Sequence, residues 1–456
     1  MTAQLGIRIS YSDWATLRRG LLTADGNENA AVLLCGSSKT KTETRLLARR
    51  ILPVAPELYE ERTSYRLRVS PSFYNRVIDV CLSEKLSPVL VHSHPSADEP
   101  WYSASDDFGE SRLLPVLEEL IPGTSAASLL LTHSLPAGRR YTNQKFGPLN
   151  SLTVVGPQVL TFRFSPRQSI PQSDTTQFDR QILTFGTEGQ KFIAGLRVGL
   201  VGVGGTGSIV AEQLGRLGVR DLVLIDPDRV EESNLSRLIG SHSKDVGSPK
   251  VKVIRSHLSK LGADKISTVE DSAIRQGVLA QLRDRDIVFS CVDNDRSRAI
   301  LSRFAHQYLI PIIDMGVRLD GRSGEIKAAA GRVSVVGPGM VCLRCSHHVS
   351  SERIRAESLP PTERQALARE GYVMGVDDPA PAVISLNATI AGLAVTSALN
   401  LFLNFTGGIQ PVDQLYDATE GVVFTARTVH EAGCDICDDN VGVKGLGDIQ
   451  IVSAYD

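Results

Sequence analysis

The stretch Leu196–Asp226 reads LRVGLVGVGGTGSIVAEQLGRLGVRDLVLID and decides the fold of the larger part of this chain. An apolar run, Val198–Val201, predicts a strand that enters a glycine-rich turn, 202–207. Apolar residues then recur at the spacing of a helix, and a second apolar run ends in Asp226. Strand, glycine turn, helix and strand in this order predict a βαβ unit with parallel strands.

The glycine turn of this unit has the chemistry of a nucleotide site. Glycine lets the backbone bend sharply and approach a phosphate closely, and the helix that follows offers free N–H groups to that anion. An acid about twenty residues further on suits the ribose hydroxyls. We therefore predict a mononucleotide or dinucleotide site formed by Gly202, Gly204, Gly205, Gly207 and Asp226. The alternative is an α/β turn whose glycines serve packing alone.

Length and composition are those of a multidomain globular protein. The 456 residues suggest roughly two or three domains, and the hydrophobic share of 42% and charged share of 22% are ordinary. A net charge of −2 gives no sign of a nucleic-acid or membrane partner. The N-terminus lacks the basic start and apolar core of a signal peptide, and polar residues interrupt the apolar run Val383–Phe405, which favours a buried helix. We expect a cytoplasmic protein.

Residues 1–155 form a predicted α+β domain that carries a candidate metal site. A predicted apolar strand ends in His92 and His94, and Asp106 follows at a predicted helix start. Two imidazoles and a carboxylate hold a catalytic zinc and leave its fourth position to water. The ion lowers the pKa of that water and polarises the carbonyl under attack, so the pattern predicts hydrolytic chemistry.

Such a site also needs a group that moves protons. Glu28 comes just before a predicted strand and is the candidate general base and acid. Ser103 is the candidate hydrogen-bond donor to the oxyanion of the tetrahedral intermediate. Glu43 is the fallback for Glu28, although it lies beyond that strand.

These residues resemble the motif of the JAMM metalloproteases, also called JAB or MPN. That family carries His-x-His-Pro, seven residues and Ser-x-x-Asp, with a glutamate before an early strand that ends in glycine. This chain reads H-S-H-P, seven residues and S-A-S-D, with E-N-A-A-V-L-L-C-G ending at Gly36. Members cleave peptide or isopeptide bonds at the C-terminus of ubiquitin-like proteins, so the resemblance implies a zinc peptidase. Two alternatives stay open: a strand end without a metal, and an inactive protease fold that serves as a docking module.

A polar stretch with prolines, 156–176, predicts a linker to a second domain, 177–456. Downstream of its glycine turn this domain carries polar and charged residues suited to a nucleotide, namely Asn234, Arg237, Lys250 and Asp293. Cations and an amide suit a triphosphate, and a carboxylate at a strand end suits Mg²⁺. This set favours ATP over NAD, and the sequence has no Walker lysine motif.

The second domain looks like the ThiF/MoeB/ubiquitin-activating superfamily. The signature of that superfamily is R-Q, then G-x-G-G-x-G, then D-x-D-x-V-x-x-x-N-L-x-R, then a lysine and D-N. The chain matches it at Arg180-Gln181, Gly202–Gly207, Asp226–Arg237, Lys250 and Asp293-Asn294, and departs from it at Leu238, where members often have glutamine. By this resemblance Asp226 holds the ribose and Asp293 holds Mg²⁺, while Asn234, Arg237 and Lys250 hold phosphates. Arg180 would reach the γ-phosphate of the ATP in the partner subunit of a homodimer.

The resemblance also implies a reaction. The C-terminal carboxylate of a ubiquitin-like protein attacks the α-phosphate of ATP, which gives an acyl-adenylate and pyrophosphate. Superfamily enzymes commonly keep a thioester-forming cysteine in a crossover region, and the corresponding stretch 346–381 has none. We therefore predict that the reaction stops at the adenylate or passes it directly to the nucleophile of a partner.

Four of the seven cysteines form two Cys-x-x-Cys pairs and are candidate ligands of a closed structural zinc site, namely Cys342, Cys345, Cys434 and Cys437. Such a site would tie the C-terminal segment back to the sheet, because metal binding adds to the free energy of folding. The alternative is four reduced thiols.

Taken together, the sequence predicts an α/β protein in which an N-terminal α+β JAMM-like domain precedes a Rossmann-like α/β adenylation domain. The predicted function is that of a bifunctional enzyme in a bacterial ubiquitin-like system, which adenylates and cleaves the same kind of tail. Its expected ligands are ATP, Mg²⁺, one catalytic zinc and one structural zinc. Its expected partners are a ubiquitin-like or sulfur-carrier protein with a C-terminal glycine, a second copy of the chain and, as a further candidate, a conjugating enzyme. Sulfur-carrier activation for cofactor or cysteine synthesis is one alternative, and a nicotinamide-binding protein is another.

Overall fold

The computed structural model describes residues 4–165, 175–322, 325–360, 362–364, 381–407 and 411–449. Parts of the predicted linker and of the predicted crossover region therefore lie outside the described residues. The chain divides into two compact units. Among the described residues, the first unit takes 4–165, Gln307–Leu309 and 444–449, and the second takes most of the rest.

The first unit is built on a mixed nine-stranded sheet in the order β11-β10-β1-β3-β2-β6-β7-β8-β9. Its strands, with the small separate pair β4 and β5, are β1 (Gln4–Ser10), β2 (Ala30–Lys39), β3 (Glu43–Pro53), β4 (Tyr59–Arg62), β5 (Leu67–Val69), β6 (Ser87–Ser93), β7 (Ala127–Leu131), β8 (Pro136–Thr142), β9 (Lys145–Pro148), β10 (Ser151–Val155) and β11 (Leu160–Arg163). Its helices are α1 (Tyr11–Leu21), α2 (Pro71–Glu84) and α3 (Ala104–Leu120).

Both faces of this sheet are covered, because successive side chains of a strand point to opposite faces. On β2, Leu33 packs into the core on the α1 side, and Val32 and Leu34 pack into the core that includes α2 and α3. The central strands are accordingly apolar on both sides and fully buried along β6. A strand of this kind can carry a polar side chain only at its end, where His92 lies.

The sheet of the first unit runs beyond residue 155, where the sequence predicted a linker to begin. Strand β11 pairs antiparallel with β10, as Val154 faces Leu160. Residues 444–449 also belong to this unit and not to the predicted domain 177–456, since the amide of Asp448 donates to the carbonyl of Ser37 at 2.7 Å. Pairing between such distant segments leaves no periodic signal in either one, so the sequence pattern alone did not reveal it.

The second unit confirms the predicted α/β fold with a Rossmann-like βαβ unit. Its eight-stranded sheet has the order β14-β13-β12-β15-β16-β17-β18-β19. The strands are β12 (Arg197–Val201), β13 (Asp221–Ile225), β14 (Lys265–Val269), β15 (Ile287–Ser290), β16 (Ile312–Arg322), β17 (Glu325–Val336), β18 (Asp413–Asp417) and β19 (Val422–Thr425). The helices are α4 (Asp179–Ala194), α5 (Gly205–Arg216), α6 (Lys250–Lys260), α7 (Gln276–Leu279), α8 (Asp295–Tyr308), α9 (Ser351–Ser358) and α10 (Ile384–Leu403).

The order of the parallel strands determines where a ligand can bind. Strand β12 pairs in parallel with β13 on one side and with β15 on the other. The chain therefore adds strands first on one side of β12 and later on its other side, so the strand order reverses between β12 and β15. Ligands of open α/β sheets bind at the carboxyl ends of the strands at such a switch point. The glycine turn follows β12 and Asp293 follows β15, so both lie at this place.

Helix α10 corresponds to the long apolar run. Among the described helices it alone is long and apolar enough to cross a membrane, and 56% of its most apolar window is buried within the fold. It packs against α5 and against β16 and β17. Its polar residues Asn387 and Asn400 are themselves buried, at 4% and 6% exposure. The contacts are those of a core helix, as the sequence predicted.

Candidate functional site

The glycine turn is shaped by close contacts that only glycine permits. Gly202 has φ +83°, and a Cβ built there would lie 2.6 Å from the carbonyl oxygen of Cys291. A Cβ on Gly207 would collide with the carbonyl oxygen of Gly202, and one on Gly205 would lie 2.6 Å from Nδ2 of Asn387. Gly204, at the start of α5, has no described atom within 4 Å of its Cβ position apart from its own chain neighbours, so it faces open space. The turn therefore packs tightly on one side and stays open where an anion would approach.

Asp226 is tied into the glycine turn. Its Oδ2 accepts from the amide of Val203 at 2.7 Å, and its Oδ1 accepts from the amide of Asp228 at 2.8 Å. The residue is 5% exposed, and burial raises the pKa of its carboxyl although these bonds and the charge of Lys250 oppose that rise. Asp226 thus holds the turn in place, a role that the sequence prediction of a ribose contact did not include.

The three predicted phosphate-binding side chains have different local partners. Arg237 lies beside it, since a Cβ on Gly205 would be 3.1 Å from Cδ of Arg237. Lys250 opens α6 and places its Nζ 2.8 Å from Oδ2 of Asp228. The Oδ1 atom of Asn234 accepts from the amide of Glu231 at 3.2 Å and so closes a short helical turn.

The two remaining predicted residues are exposed. Asp293 lies just beyond β15, and Nδ2 of Asn294 donates to its Oδ1 at 3.4 Å. The backbone before it is held by Arg298, which donates to the carbonyl of Val292 at 2.6 Å. Arg180 is exposed near the start of α4, and its side chain makes no hydrogen bond or ion pair within the described part of the chain. The neighbouring Gln181 donates to the carbonyl of Arg216, at the end of α5 opposite the glycine turn, so Arg180 lies apart from that turn.

In the first unit, three predicted metal ligands come together. Each of His92, His94 and Asp106 offers one atom, and these atoms lie within 4.8 Å of one another. Nε2 of His92 is 3.3 Å from Oδ1 of Asp106, and Nε2 of His94 is 3.4 Å from Oδ2. Nε2 of His92 is buried and has no hydrogen-bond partner among the described residues, which is costly for a polar atom unless it binds something else. This orphaned nitrogen and the donor set fit a zinc ion.

The strand pairing places Glu28 beside these ligands. Strand β2 runs antiparallel to β6 with Ala30 opposite His92, so the residue two positions earlier reaches the end of β6. Oε1 of Glu28 is 3.5 Å from Nε2 of His94. Glu28 is 5% exposed, and burial raises the pKa of its carboxyl. The fallback Glu43 instead pairs with Arg45 at 3.2 Å on β3.

Ser103 and Asp106 form a capping box at the start of α3. The amide of Asp106 donates to Oγ of Ser103 at 3.2 Å, and the amide of Ser103 donates to Oδ2 of Asp106 at 2.7 Å. Burial alone would raise the pKa of Asp106, but the nearby imidazoles of His92 and His94 and the amide of Ser103 outweigh it and lower that pKa far below its usual range. The Ser103 oxygen is used as an acceptor in this box, and its O–H is left to donate.

Several residues around the two sites were missed by the sequence reasoning. The exposed ring of Trp101 meets the His94 ring edge-on at 5.6 Å, and Glu110 lies behind His92. Glu110 follows Asp106 by four residues on one helix, so the spacing alone could have indicated it. Trp101 and Arg298 had no such signal, because a loop position and a contact to a backbone carbonyl have no periodicity.

The four paired cysteines form the predicted cluster in the second unit. All four are buried, and Sγ of Cys342 and Cys434 are 3.7 Å apart, as are Sγ of Cys345 and Cys437. A tetrahedron with Zn–S bonds of about 2.3 Å has sulfur atoms roughly 3.8 Å apart, so the spacing fits zinc and is far too long for a disulfide. A hydrogen bond from Cys437 lowers the pKa of Cys342, whereas burial raises the pKa of Cys345 and the bond to Cys342 raises that of Cys437.

We expect Cys434→Ser to remove one zinc ion per chain and to lower the melting temperature. The remaining three thiols cannot close a four-thiolate site, and metal binding adds to folding free energy. Zinc content by mass spectrometry of metals and thermal unfolding are the measurements. Cys291→Ser is the matched control, because Cys291 lies against Met315 and outside the cluster. Equal zinc content in both variants would show that the four cysteines do not form a structural zinc site.

A sequence profile described as the ThiF family matches residues 178–434. Among curated proteins, the SAMP-activating enzyme E1 of Haloferax volcanii is 27% identical over 287 residues, which is 62% of this chain and 96% of that protein. The adenylyltransferase and sulfurtransferase MOCS3 of Caenorhabditis briggsae is 26% identical over 60% of this chain and 63% of its own length. The ubiquitin-like modifier-activating enzyme 5 of Aedes aegypti is 28% identical over 46% of this chain and 51% of its own length.

The chain thus spans nearly all of the archaeal relative and about half to two thirds of the two animal relatives. The profile begins at residue 178 and ends at residue 434, so it contains the glycine turn and three of the paired cysteines. The histidine and aspartate cluster of the first unit lies outside the matched residues.

Proposed function

Because the chain belongs to the ThiF family through residues 178–434, we propose that its second unit is an ATP-dependent adenylyltransferase. Its substrate is the C-terminal carboxylate of a ubiquitin-like or sulfur-carrier protein. The observation that carries this proposal is the switch point, where an open helix start, a cation and a carboxylate meet. Gly204 faces open space there, Arg237 lies beside the turn, and Asp293 follows the neighbouring strand.

The reaction transfers AMP to the tail. A carboxylate oxygen of the C-terminal glycine attacks the α-phosphorus of ATP and forms a new P–O bond. The bond from that phosphorus to the bridging oxygen of the β-phosphate breaks, and pyrophosphate leaves with the electron pair. Two anions must approach each other in this step, so catalysis consists of positioning and of neutralising charge.

The residues of the turn would divide this work. The N-terminus of α5 and Arg237 hold phosphate oxygens, and Lys250 exchanges its contact with Asp228 for a phosphate. Each oxygen of Asp226 has accepted one backbone N–H and keeps a lone pair for a ribose hydroxyl. Asn234 would add an amide contact to a phosphate. Asp293 would hold Mg²⁺, which when bound neutralises phosphate charge.

A homodimer would complete the site. Arg180 is exposed and apart from the glycine turn of its own chain, as a residue that serves the γ-phosphate of a partner subunit would be. The free guanidinium suits that task, because it is charged at all physiological pH values and binds phosphate through two parallel hydrogen bonds. We infer that the dimer brings this cation to the triphosphate.

For the first unit we propose a zinc peptidase that cleaves a peptide or isopeptide bond after the same kind of tail. The observation that supports it is the buried, unpartnered Nε2 of His92 among His94 and Asp106. A zinc ion held there would lower the pKa of a bound water and polarise the scissile carbonyl. Glu28 would accept the proton of the attacking water and return it to the leaving amine, and the Ser103 O–H would donate to the oxyanion.

Activation of a sulfur carrier is the second candidate function of the adenylation unit. The sequence between Cys345 and Cys434 contains no cysteine, so a thioester cannot form in the crossover stretch. Burial raises the pKa of the remaining candidate thiol near the turn, Cys291, which makes it a poor nucleophile. An adenylate without a thioester fits transfer to a sulfur donor, and it also fits direct transfer to a conjugating partner.

ATP with Mg²⁺ is expected to raise the melting temperature of the protein, and NAD is expected to leave it unchanged. A ligand at one hundred times its dissociation constant stabilises the folded state by about 2.7 kcal/mol. Thermal unfolding with each nucleotide is the measurement, and Arg237→Ala should reduce the effect of ATP. Stabilisation by NAD and not by ATP would instead favour a nicotinamide-binding protein and end the adenylation proposal.

A further inference from the structure

We propose that Glu110 is a positioning residue of the first unit's metal site, where its buried carboxylate orients the His92 ring toward the other ligands. The inference rests on the peptidase proposed above and adds a residue behind its ligands. It concerns the second nitrogen of His92, which points away from His94 and Asp106. A histidine binds a metal through one ring nitrogen, and the partner of the other nitrogen determines the tautomer and the ring orientation.

The two nitrogens of His92 face opposite carboxylates. Nε2 lies 3.3 Å from Oδ1 of Asp106, on the side of the ligand cluster. Nδ1 lies 4.0 Å from Oε1 of Glu110, on the side away from it. Asp106 and Glu110 lie one turn apart on α3, so a single helix presents a carboxylate to each edge of the same ring.

Glu110 is anchored by hydrogen-bond donors on its other oxygen. Its Oε2 accepts from Oγ of Ser128 at 2.7 Å and from Nε of Arg139 at 2.7 Å. The Arg139 guanidinium is stacked against the rings of Tyr102, at 3.6 Å, and Phe146, at 3.8 Å. Glu110 and Arg139 are 7% and 8% exposed, so the position of the Glu110 carboxyl is fixed within the fold.

This arrangement turns Oε1 toward Nδ1 of His92. A carboxylate oxygen facing Nδ1 favours the tautomer with its proton on Nδ1, which leaves the lone pair on Nε2. Nε2 is the atom that lies among the ligand atoms and lacks a hydrogen-bond partner. Glu110 therefore holds His92 ready to bind a metal without touching the metal or the substrate.

Glu110→Gln tests this role while preserving the shape of the side chain. Ser128 and Arg139 both donate, so the amide oxygen of the glutamine stays with them and its NH₂ group turns toward Nδ1. A donor at that position opposes the Nδ1–H tautomer. We expect the zinc ion of the first unit to bind about 10- to 100-fold more weakly, the usual effect of removing such a partner.

The measurement is zinc affinity of the full chain by competition with a chromophoric chelator, together with the melting temperature of the metal-free protein. Asp107→Asn is the matched control, because Asp107 also pairs with Arg139, at 2.5 Å, but faces no ligand. The four-thiolate site serves as an internal reference that neither variant alters. Ser128→Ala is a second variant that loosens Glu110 without removing its charge, and it should also weaken zinc binding.

The outcomes separate the inference from the peptidase proposal. The inference and the peptidase site are both supported if the wild type binds two zinc ions and one of them binds more weakly in Glu110→Gln and Ser128→Ala. Asp107→Asn should then bind both ions as the wild type does. Two zinc ions bound equally by all folded variants overturns the role of Glu110 and leaves the peptidase site standing. A single zinc ion in the wild type that is lost in Cys434→Ser overturns the metal site of the first unit and the inference with it. A lower melting temperature with unchanged zinc affinity would assign Glu110 a purely structural role.

Discussion

Asp293→Asn is expected to lower the rate of ATP–pyrophosphate exchange by about 100-fold or more. The carboxylate follows β15 at the switch point of the sheet, where the triphosphate and the incoming tail would both lie. Its loss would leave phosphate charge without its magnesium ligand, and removing one preorganised electrostatic contact typically lowers kcat by about 10² to 10³. Exchange of labelled pyrophosphate into ATP, in the presence of small proteins that end in glycine, is the measurement.

Asp320→Asn is the matched control for this prediction, since Asp320 is an exposed acid on β16 of the same sheet. It should exchange pyrophosphate at the wild-type rate. Arg237→Ala should act in the same direction as Asp293→Asn, because Arg237 lies beside Gly205 at the turn. Exchange at the wild-type rate in both Asp293→Asn and Arg237→Ala would show that the chemistry takes place elsewhere.

Glu28→Gln is expected to lower the cleavage of a tail-extended ubiquitin-like protein by about 100-fold or more. Positioned proton transfer contributes about 10² to 10⁴ to rates of this kind, and glutamine cannot carry the proton. Because Glu28 is 3.5 Å from His94 and is not one of the three clustered ligands, zinc content should stay at the wild-type level. Cleavage followed by mass spectrometry, with zinc content measured on the same samples, is the assay.

Glu43→Gln is the informative comparison, since it tests the other glutamate that the sequence offered. Glu43 pairs with Arg45 and lies on β3, away from the end of β6, so its replacement should leave the cleavage rate close to that of the wild type. Loss of cleavage in Glu43→Gln with full cleavage in Glu28→Gln would reverse the assignment. Full cleavage in both variants would show that neither glutamate transfers the proton. Absence of cleavage by the zinc-loaded wild type would support a docking module in place of a peptidase.

The features that could be predicted from the sequence are those with a local pattern. The run Leu196–Asp226 combines two apolar strands with a helical period, and the structure has β12, α5 and β13 in that order. The spacing of His92, His94 and Asp106 also indicated a cluster, because a strand end and a helix start can each be read locally. Each Cys-x-x-Cys pair could also be recognised from its local spacing, although the two pairs are far apart in the chain.

The features that could not be predicted depend on contacts between distant residues. Arg139 reaches Glu110 from another strand, and nothing in the pattern around either residue pairs them. The bonds from Val203 to Asp226 gave that acid a second role in the turn, which its position in a motif does not reveal. Residues 161–164 could be recognised as a strand, but they fell within the predicted linker 156–176, because nothing in so short a stretch shows that it pairs with β10.

The most direct test of the adenylation account is a crystal structure of the protein with a non-hydrolysable ATP analogue and Mg²⁺. The account predicts phosphate oxygens at the amides that open α5, next to Gly204, with Arg237 and Lys250 turned toward them and Asp293 at the metal. It also predicts that Lys250 no longer contacts Asp228 in this complex. A nucleotide bound elsewhere, or one at the turn with Arg237, Lys250 and Asp293 all pointing away from its phosphates, would contradict the account.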